Sequence, residues 1–165
     1  MKIGIPKEIK DQEFRVGLTP ASVRVCSETG HQVFIETEAG LGAGFSDDDY
    51  LQAGGHILSD AKKVWDCEMI VKVKEPLSSE YEFLKSKQLL FTYLHLAADR
   101  KLTERLVKSG VMAIAYETVE LSDKRLPLLT PMSKIAGRLS VQFGARFLEK
   151  QQGGRGGAIR WPLNL

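Results

Sequence analysis

The sequence predicts an α/β fold built on a parallel β-sheet. Short apolar, β-prone runs alternate along the chain with segments that carry helix-start and helix-stop signals. The first elements form a β-α-β unit, because a helix from Thr19-Pro20 to Thr29 separates strands at 2–5 and 31–36. Strands joined by a helical crossover run parallel, so repetition of this pattern favours a parallel sheet covered by helices.

The middle of the chain begins with a glycine-rich turn at 39–45. Glycines after a strand can cradle a phosphate, but this spacing is not GxGxxG, and a tight turn alone explains them. A helix at 47–53 is broken by Gly54-Gly55, which makes the adjacent His56 a turn residue. A short helix at 61–65 follows.

Two buried strands come next, at 69–73 and 89–94, and each is followed by a residue with acid–base or charged chemistry. Lys74 follows the first strand and His95 follows the second. Lys72 lies within the first strand, where an alternating lysine is more often an edge or solvent-facing residue. We therefore expect Lys74, rather than Lys72, to be the functional lysine.

The last elements are a helix at 101–108, a strand at 111–115 and a long helix at 130–150. Thr130 is the expected cap of the long helix, and Ser133 lies in its first turn, where free N–H groups favour a polar ligand or a structural cap. Apolar residues recur at helical spacing along it: Met132, Ile135, Ala136, Leu139, Phe143 and Phe147.

Composition limits the function classes. Hydrophobic residues make up 43% and charged residues 27%, and the net charge of +2 gives no electrostatic case for nucleic acid or an anionic membrane. Cys26 and Cys67 have no metal-ligand spacing and suggest free thiols in a reducing compartment. The charged N-terminus does not resemble a signal peptide, and no apolar run is long enough to span a bilayer. We expect a cytoplasmic protein without a metal site.

Three candidate site residues fall in loops that follow predicted strands: Arg15, Lys74 and His95. In a parallel sheet these loops open on one edge, where ligands bind. Arginine can hold a carboxylate through two hydrogen bonds, lysine adds a point charge, and histidine can exchange a proton near neutral pH. The constellation predicts a site for a small 2-keto or 2-amino acid.

Five motifs, in order, carry a family resemblance. They are Ile5-Pro6-Lys7-Glu8, the run from Arg15 to Pro20, the run from Val71 to Pro76, the run from Phe91 to Ala98, and the run from Leu128 to Ser133. In these motifs the chain resembles the N-terminal, substrate-binding part of the NAD-dependent alanine dehydrogenases, over residues 1–156. The resemblance implies a Rossmann-like (flavodoxin-like) substrate domain at 1–129 and a linker helix at 130–150.

The resemblance also implies the roles of the site residues. Arg15 and Lys74 hold the substrate carboxylate, His95 is the catalytic acid/base, and Ser133 touches the NAD cofactor. The implied reaction is the reversible oxidative deamination of L-alanine to pyruvate and ammonia, in a family expected to form homo-oligomers. The related transhydrogenase α-subunit is a weaker alternative, because it is not expected to carry a histidine at the position of His95.

The match ends in a glycine-rich, divergent tail at 151–165. The dinucleotide-binding domain of the family, and the catalytic aspartate expected in it, have no counterpart in this sequence. Truncation or a frameshift is the simplest account, and a split gene is the alternative. We expect an alanine dehydrogenase fragment that is inactive alone, or else a non-catalytic 2-keto/2-amino acid binding module or partner subunit. Without its family partners, part of the long helix should be exposed and promote self-association.

Overall fold

The computed structural model describes residues 1–157 and has an α/β architecture. The strands are β1 (Lys2–Ile5), β2 (Gln32–Glu36), β3 (His56–Leu58), β4 (Met69–Val71), β5 (Leu89–Thr92) and β6 (Met112–Ala115). The helices are α1 (Pro20–Glu28), α2 (Asp47–Gln52), α3 (Ala61–Trp65), α4 (Arg100–Ser109) and α5 (Thr130–Leu148). Within the described residues, no helix is long and apolar enough to cross a bilayer.

The six strands are all parallel and lie in the order β3-β2-β1-β4-β5-β6. The predicted parallel α/β class is therefore confirmed. The order is that of Rossmann-type sheets, whereas a flavodoxin-like sheet has the order 2-1-3-4-5, so that part of the prediction is corrected. The difference arises because the chain adds β3 outside β2 before it returns to pair β4 with β1.

His56 is the first residue of β3, and its prediction as a turn residue was wrong. The strand is only three residues long, too short for a periodic pattern to reveal. Its place in the sheet depends on pairing with β2, where His56 lies opposite Phe34 and the two rings stack with centroids 5.2 Å apart. Tertiary pairing therefore decides the conformation of this segment.

Two hydrophobic clusters lie on opposite faces of the sheet. Val33 and Ile35 of β2 belong to one cluster, and Phe34 packs against the other, as the alternation of side chains along a strand requires. The first cluster includes Tyr50 of α2, and the second includes Trp65 of α3. Helices therefore cover both faces, which is the arrangement expected for a parallel sheet.

Lys72 follows β4 and is buried, so its prediction as an edge or solvent-facing residue was wrong. Its side chain is 1% exposed, and its Nζ lies 2.6 Å from Oε1 of Glu80 and 3.5 Å from Oε2 of Glu8. Nζ also lies 5.7 Å from the centre of the Trp65 ring. A buried ammonium group needs such partners because it has lost its hydration.

The chain divides into two compact units, Met1–Thr118 and a second that begins at Val119. The first unit contains the sheet. The second contains α5. Thr130 is the first residue of this helix and not, as predicted, the cap that precedes it. The hydroxyl of Thr130 donates to the carbonyl of Leu126 at 2.8 Å instead of capping the helix. None of the residues of α5 is buried, and Ile135, Leu139, Phe143 and Phe147 are all exposed.

Replacing Lys72 by methionine should destabilise the first unit strongly. The substitution leaves the Glu80 carboxylate, which is 5% exposed, without its cation, and breaking a buried pair costs about 3–5 kcal/mol. Lys7→Met is the matched control, because Lys7 and Glu38 form an exposed pair worth about 0–1 kcal/mol. Urea unfolding should show the difference, and equal costs for the two variants would contradict the role of the buried pair.

Self-association through α5 is a second expectation. Ile135, Leu139, Phe143 and Phe147 are spaced four residues apart and therefore lie along one side of the helix, where exposed apolar surface favours contact with another copy. Size-exclusion chromatography with light scattering at tens of micromolar should show oligomers, and Phe143→Ser should reduce them. Val107→Ser, which removes an exposed apolar side chain from α4, is the control. A wild-type monomer would contradict the expectation.

Candidate active site

The loop after β1 lies against the carboxyl end of β4. Oε1 of Glu8 accepts hydrogen bonds from the backbone N–H of Val73 at 2.6 Å and of Lys74 at 3.3 Å. Further along the loop, a Cβ at Gly17 would lie 2.5 Å from the carbonyl oxygen of Val71, so only glycine permits this approach. The loop that carries Arg15 is therefore held over the end of β4.

The Arg15 side chain is held by Glu13. Its Nε donates to Oε1 of Glu13 at 2.7 Å and its Nη2 donates to Oε2 at 2.5 Å, which is a bidentate pair. The hydrogen bonds from Arg15, together with a smaller effect of the Lys74 charge, lower the pKa of Glu13 below its ordinary value. Arg15 and Lys74 therefore act on the same carboxylate from two different loops.

Arg15 is also close to the loop after β5. Burial raises the pKa of Tyr93, and the positive charge of Arg15 opposes this rise. The ring of Tyr93 lies 6.2 Å from the ring of His95, centre to centre. The three loops that carry Arg15, Lys74 and His95 thus meet at the carboxyl ends of β1, β4 and β5.

His95 has a left-handed backbone conformation, with φ 51° and ψ 37°. A residue with a side chain rarely adopts this region, and such strain is common at functional sites. Glu117, which follows β6, stabilises the turn: its Oε1 accepts from the N–H of Leu94 at 3.0 Å and of His95 at 2.8 Å. The His95 side chain is half exposed, and its Nδ1 lies 3.8 Å from Oε2 of Glu75.

Ser133 lies in the second unit, in the first turn of α5. It lines a cavity of about 420 Å³ together with Lys124, Thr130, Lys134 and two leucines. Hydroxyl and ammonium groups at the start of a helix suit a polar or anionic ligand.

Gly40 and Gly42 of the turn at 39–45 are packed closely against neighbouring groups. A Cβ at Gly40 would lie 2.6 Å from the Tyr50 ring, and one at Gly42 would lie 2.8 Å from the carbonyl oxygen of Phe14. The glycines therefore allow close packing against α2 and against the Arg15 loop. A cavity of about 320 Å³ lies between this turn and that loop, and Arg15 lines it.

Sequence reasoning missed the acidic residues that support the site. They are Glu8, Glu13, Glu75, Glu80 and Glu117. Some of these acids contact residues that are distant in the sequence, and the others lie in loops without a periodic pattern. Local sequence patterns therefore do not reveal them. Two of them, Glu8 in the first family motif and Glu75 in the run from Val71 to Pro76, lie within motifs that carry the resemblance, but nothing in those motifs indicated their structural role. In the described part of the chain, no group of His, Cys, Asp or Glu side chains is arranged to hold a metal ion.

Residues 4–136 match the family described as alanine dehydrogenase/PNT, N-terminal domain. The chain belongs to this family. It is 58% identical over 156 residues to alanine dehydrogenase of Staphylococcus epidermidis strain ATCC 12228, and 56% identical over 156 residues to alanine dehydrogenase 2 of Staphylococcus aureus strain USA300. In each comparison the match covers 94% of this chain and 42% of the relative, so the chain corresponds to the N-terminal part of these longer proteins.

Solved structures support the same placement within the alanine dehydrogenase/PNT family. A structure of L-alanine dehydrogenase aligns with a TM-score of 0.88 and 69% identity, over 94% of this chain and 43% of that chain. A transhydrogenase from Sinorhizobium meliloti aligns with a TM-score of 0.65 and 26% identity, over 71% of this chain and 35% of that chain. The likeness to the dehydrogenase is thus greater in fold, sequence and coverage.

Glu117→Ala should destabilise the first unit by about 1–3 kcal/mol, because two backbone N–H groups lose their acceptor. Burial is the largest effect and opposes ionisation of Glu117, but the backbone N–H groups of His95, Glu117 and Leu94, with a smaller electrostatic effect of His95, together lower its pKa below the ordinary value. A lowered pKa adds stability above the ordinary pKa and loses it as the pH falls. The difference in the free energy of unfolding between wild type and Glu117→Ala should therefore become smaller below about pH 4.5.

The control for this prediction is Glu104→Ala, which breaks only an exposed pair with Arg100. Chemical denaturation from pH 7 to pH 3 would measure both variants. An equal loss of unfolding free energy in Glu104→Ala would contradict the role given to Glu117. So would a difference between wild type and Glu117→Ala that becomes larger in acid.

Proposed function

We propose that this chain is the substrate-binding part of an NAD-dependent L-alanine dehydrogenase, which interconverts L-alanine with pyruvate and ammonia. The observation that supports this most directly is the meeting of the Arg15, Lys74 and His95 loops at one edge of the sheet. Arg15 follows β1 and Lys74 follows β4, and the strand order reverses between these two strands. Open α/β sheets bind their ligands in the crevice at such a reversal.

Each of the three residues has a role in the proposal. Arg15 and Lys74 hold the carboxylate of alanine or pyruvate, the first through its planar fork and the second as a point charge. His95 exchanges protons at the neighbouring carbon: it takes a proton from the water that adds to the imine left by hydride loss, and it returns a proton to the nitrogen as ammonia leaves. Family membership supports this assignment, since the relatives are named alanine dehydrogenases.

NAD is the proposed cofactor, and it accepts the hydride from the α-carbon of the substrate when it is bound. Ser133 is the proposed contact in this chain, with Lys124 and Lys134 supplying positive charge beside it. The glycine-rich turn at 39–45 is not the proposed cofactor contact, because its spacing is not GxGxxG and close packing accounts for Gly40 and Gly42.

Other parts of the proposal concern the whole protein. We propose a homo-oligomer and a cytoplasmic location; the free thiols of Cys26 and Cys67 agree with a reducing compartment. The domain limits in the proposal are a substrate domain at 1–129 and a linker helix at 130–150.

Pyruvate should bind to the chain, and Arg15→Ala should weaken it by at least roughly tenfold, since a charge-assisted bidentate pair is worth about 1.5–3 kcal/mol. Lys74→Ala should have an effect in the same direction. NMR titration of the ¹⁵N-labelled chain would measure binding and show which amides shift. Lys85→Ala is the control, because Lys85 pairs with Asp66 before β4, at the opposite edge of the sheet. Equal binding by wild type and Arg15→Ala would refute the assignment.

An activity assay distinguishes the proposed dehydrogenase from a non-catalytic module that binds 2-keto or 2-amino acids. The purified chain should not reduce NAD with alanine, because hydride transfer needs a nicotinamide positioned against the substrate carbon. Addition of the remaining part of the Staphylococcus epidermidis relative should restore activity, and His95→Ala should abolish it. Pyruvate binding without restored turnover would favour the binding module, and transfer between nicotinamide cofactors without alanine would favour a transhydrogenase.

A further inference from the structure

Glu75 has one carboxylate oxygen without a partner. Its side chain is 14% exposed, and Oε1 accepts a hydrogen bond from Nζ of Lys10. Oε2 is buried and makes no hydrogen bond to any described residue. A buried carboxylate oxygen normally has a donor, because burial without one is costly. The position of Oε2 therefore indicates where a donor belongs.

The donor that faces Oε2 is the His95 ring. Nδ1 of His95 lies 3.8 Å from Oε2, which is longer than a hydrogen bond but within reach of a small side-chain rotation. The backbone of His95 is fixed by Glu117, so the ring can approach Glu75 only by rotating its own side chain. A neutral imidazole carries its proton on one nitrogen only, and a proton on Nδ1 would give Oε2 its partner.

We propose that Glu75 is the positioning residue of His95: it accepts the Nδ1–H of the ring, selects that tautomer and leaves the lone pair of Nε2 for the substrate. The part in which Nε2 accepts a proton in the reaction rests on the proposed function, whereas the choice of tautomer does not. Burial is the largest effect and opposes ionisation of Glu75, but the hydrogen bond from Lys10, a backbone hydrogen bond and the charges of Lys10 and Lys74 together lower the pKa of Glu75, which keeps the acceptor charged. An ionised acceptor makes the stronger hydrogen bond.

The tautomer can be measured in the chain without any ligand. Two-bond ¹H–¹⁵N correlation spectra of the imidazole rings at about pH 9, where imidazole is neutral, report which nitrogen is protonated. The chain has only three histidines, so His31→Gln and His56→Gln assign the signals. His95 should carry its proton on Nδ1. Glu75→Ala should shift the tautomer ratio roughly tenfold towards Nε2–H, since a hydrogen bond to a charged group is lost.

Two further variants make the experiment decisive. Glu38→Ala removes another glutamate that pairs with a loop lysine, and it should leave the His95 tautomer unchanged. Glu75→Gln retains an oxygen acceptor, so it should give a smaller shift in the same direction and serves if Glu75→Ala does not fold. A wild-type ring protonated on Nε2, or the same ratio in wild type and in a folded Glu75 variant, would overturn the proposal. Failure of pyruvate to bind would count against the proposed function and not against the tautomer.

Discussion

The Glu8 carboxylate connects the loop after β1 to the end of the central strand β4. One oxygen accepts the N–H groups of Val73 and Lys74, and the other lies 3.5 Å from the buried ammonium group of Lys72. The same loop continues to Arg15 and crosses the end of β4 again. A single carboxylate thus relates the backbone position of Lys74 to the loop that carries Arg15. The geometry of the whole candidate site depends on this connection.

The other acids of the site have a similar structural task. Parallel strands leave N–H groups without ladder partners where they end, and buried N–H groups need acceptors. Glu117 accepts from Leu94 and His95 in the loop after β5, and Glu80 accepts from Leu77 while pairing with Lys72. Glu75 pairs with Lys10 of the first loop. Carboxylates therefore replace backbone acceptors at this edge of the sheet, and they hold its loops in defined positions without further secondary structure.

The sequence predicted what local patterns encode. Apolar runs located five of the six strands, and the residues that end two of them, Lys74 and His95, could be placed at one edge because parallel strands share direction. The edge strand β3 and the burial of Lys72 could not be predicted, because each depends on contacts with residues distant in the chain. The strained backbone of His95 depends on Glu117, 22 residues later, and has no local signal either.

The acids of the site differ in how their ionisation affects the free energy of folding. Burial raises the pKa of Glu8, so its ionised form at neutral pH opposes folding, and its contribution is favourable only below the ordinary carboxyl pKa. Glu13, Glu75 and Glu117 have lowered pKa values and contribute stability at neutral pH instead. Buried ion pairs are in general no more stable than apolar packing of the same volume. What these pairs provide is a fixed relation between the loops that carry Arg15, Lys74 and His95, and such preorganisation is what the proposed carboxylate binding and proton transfer would require.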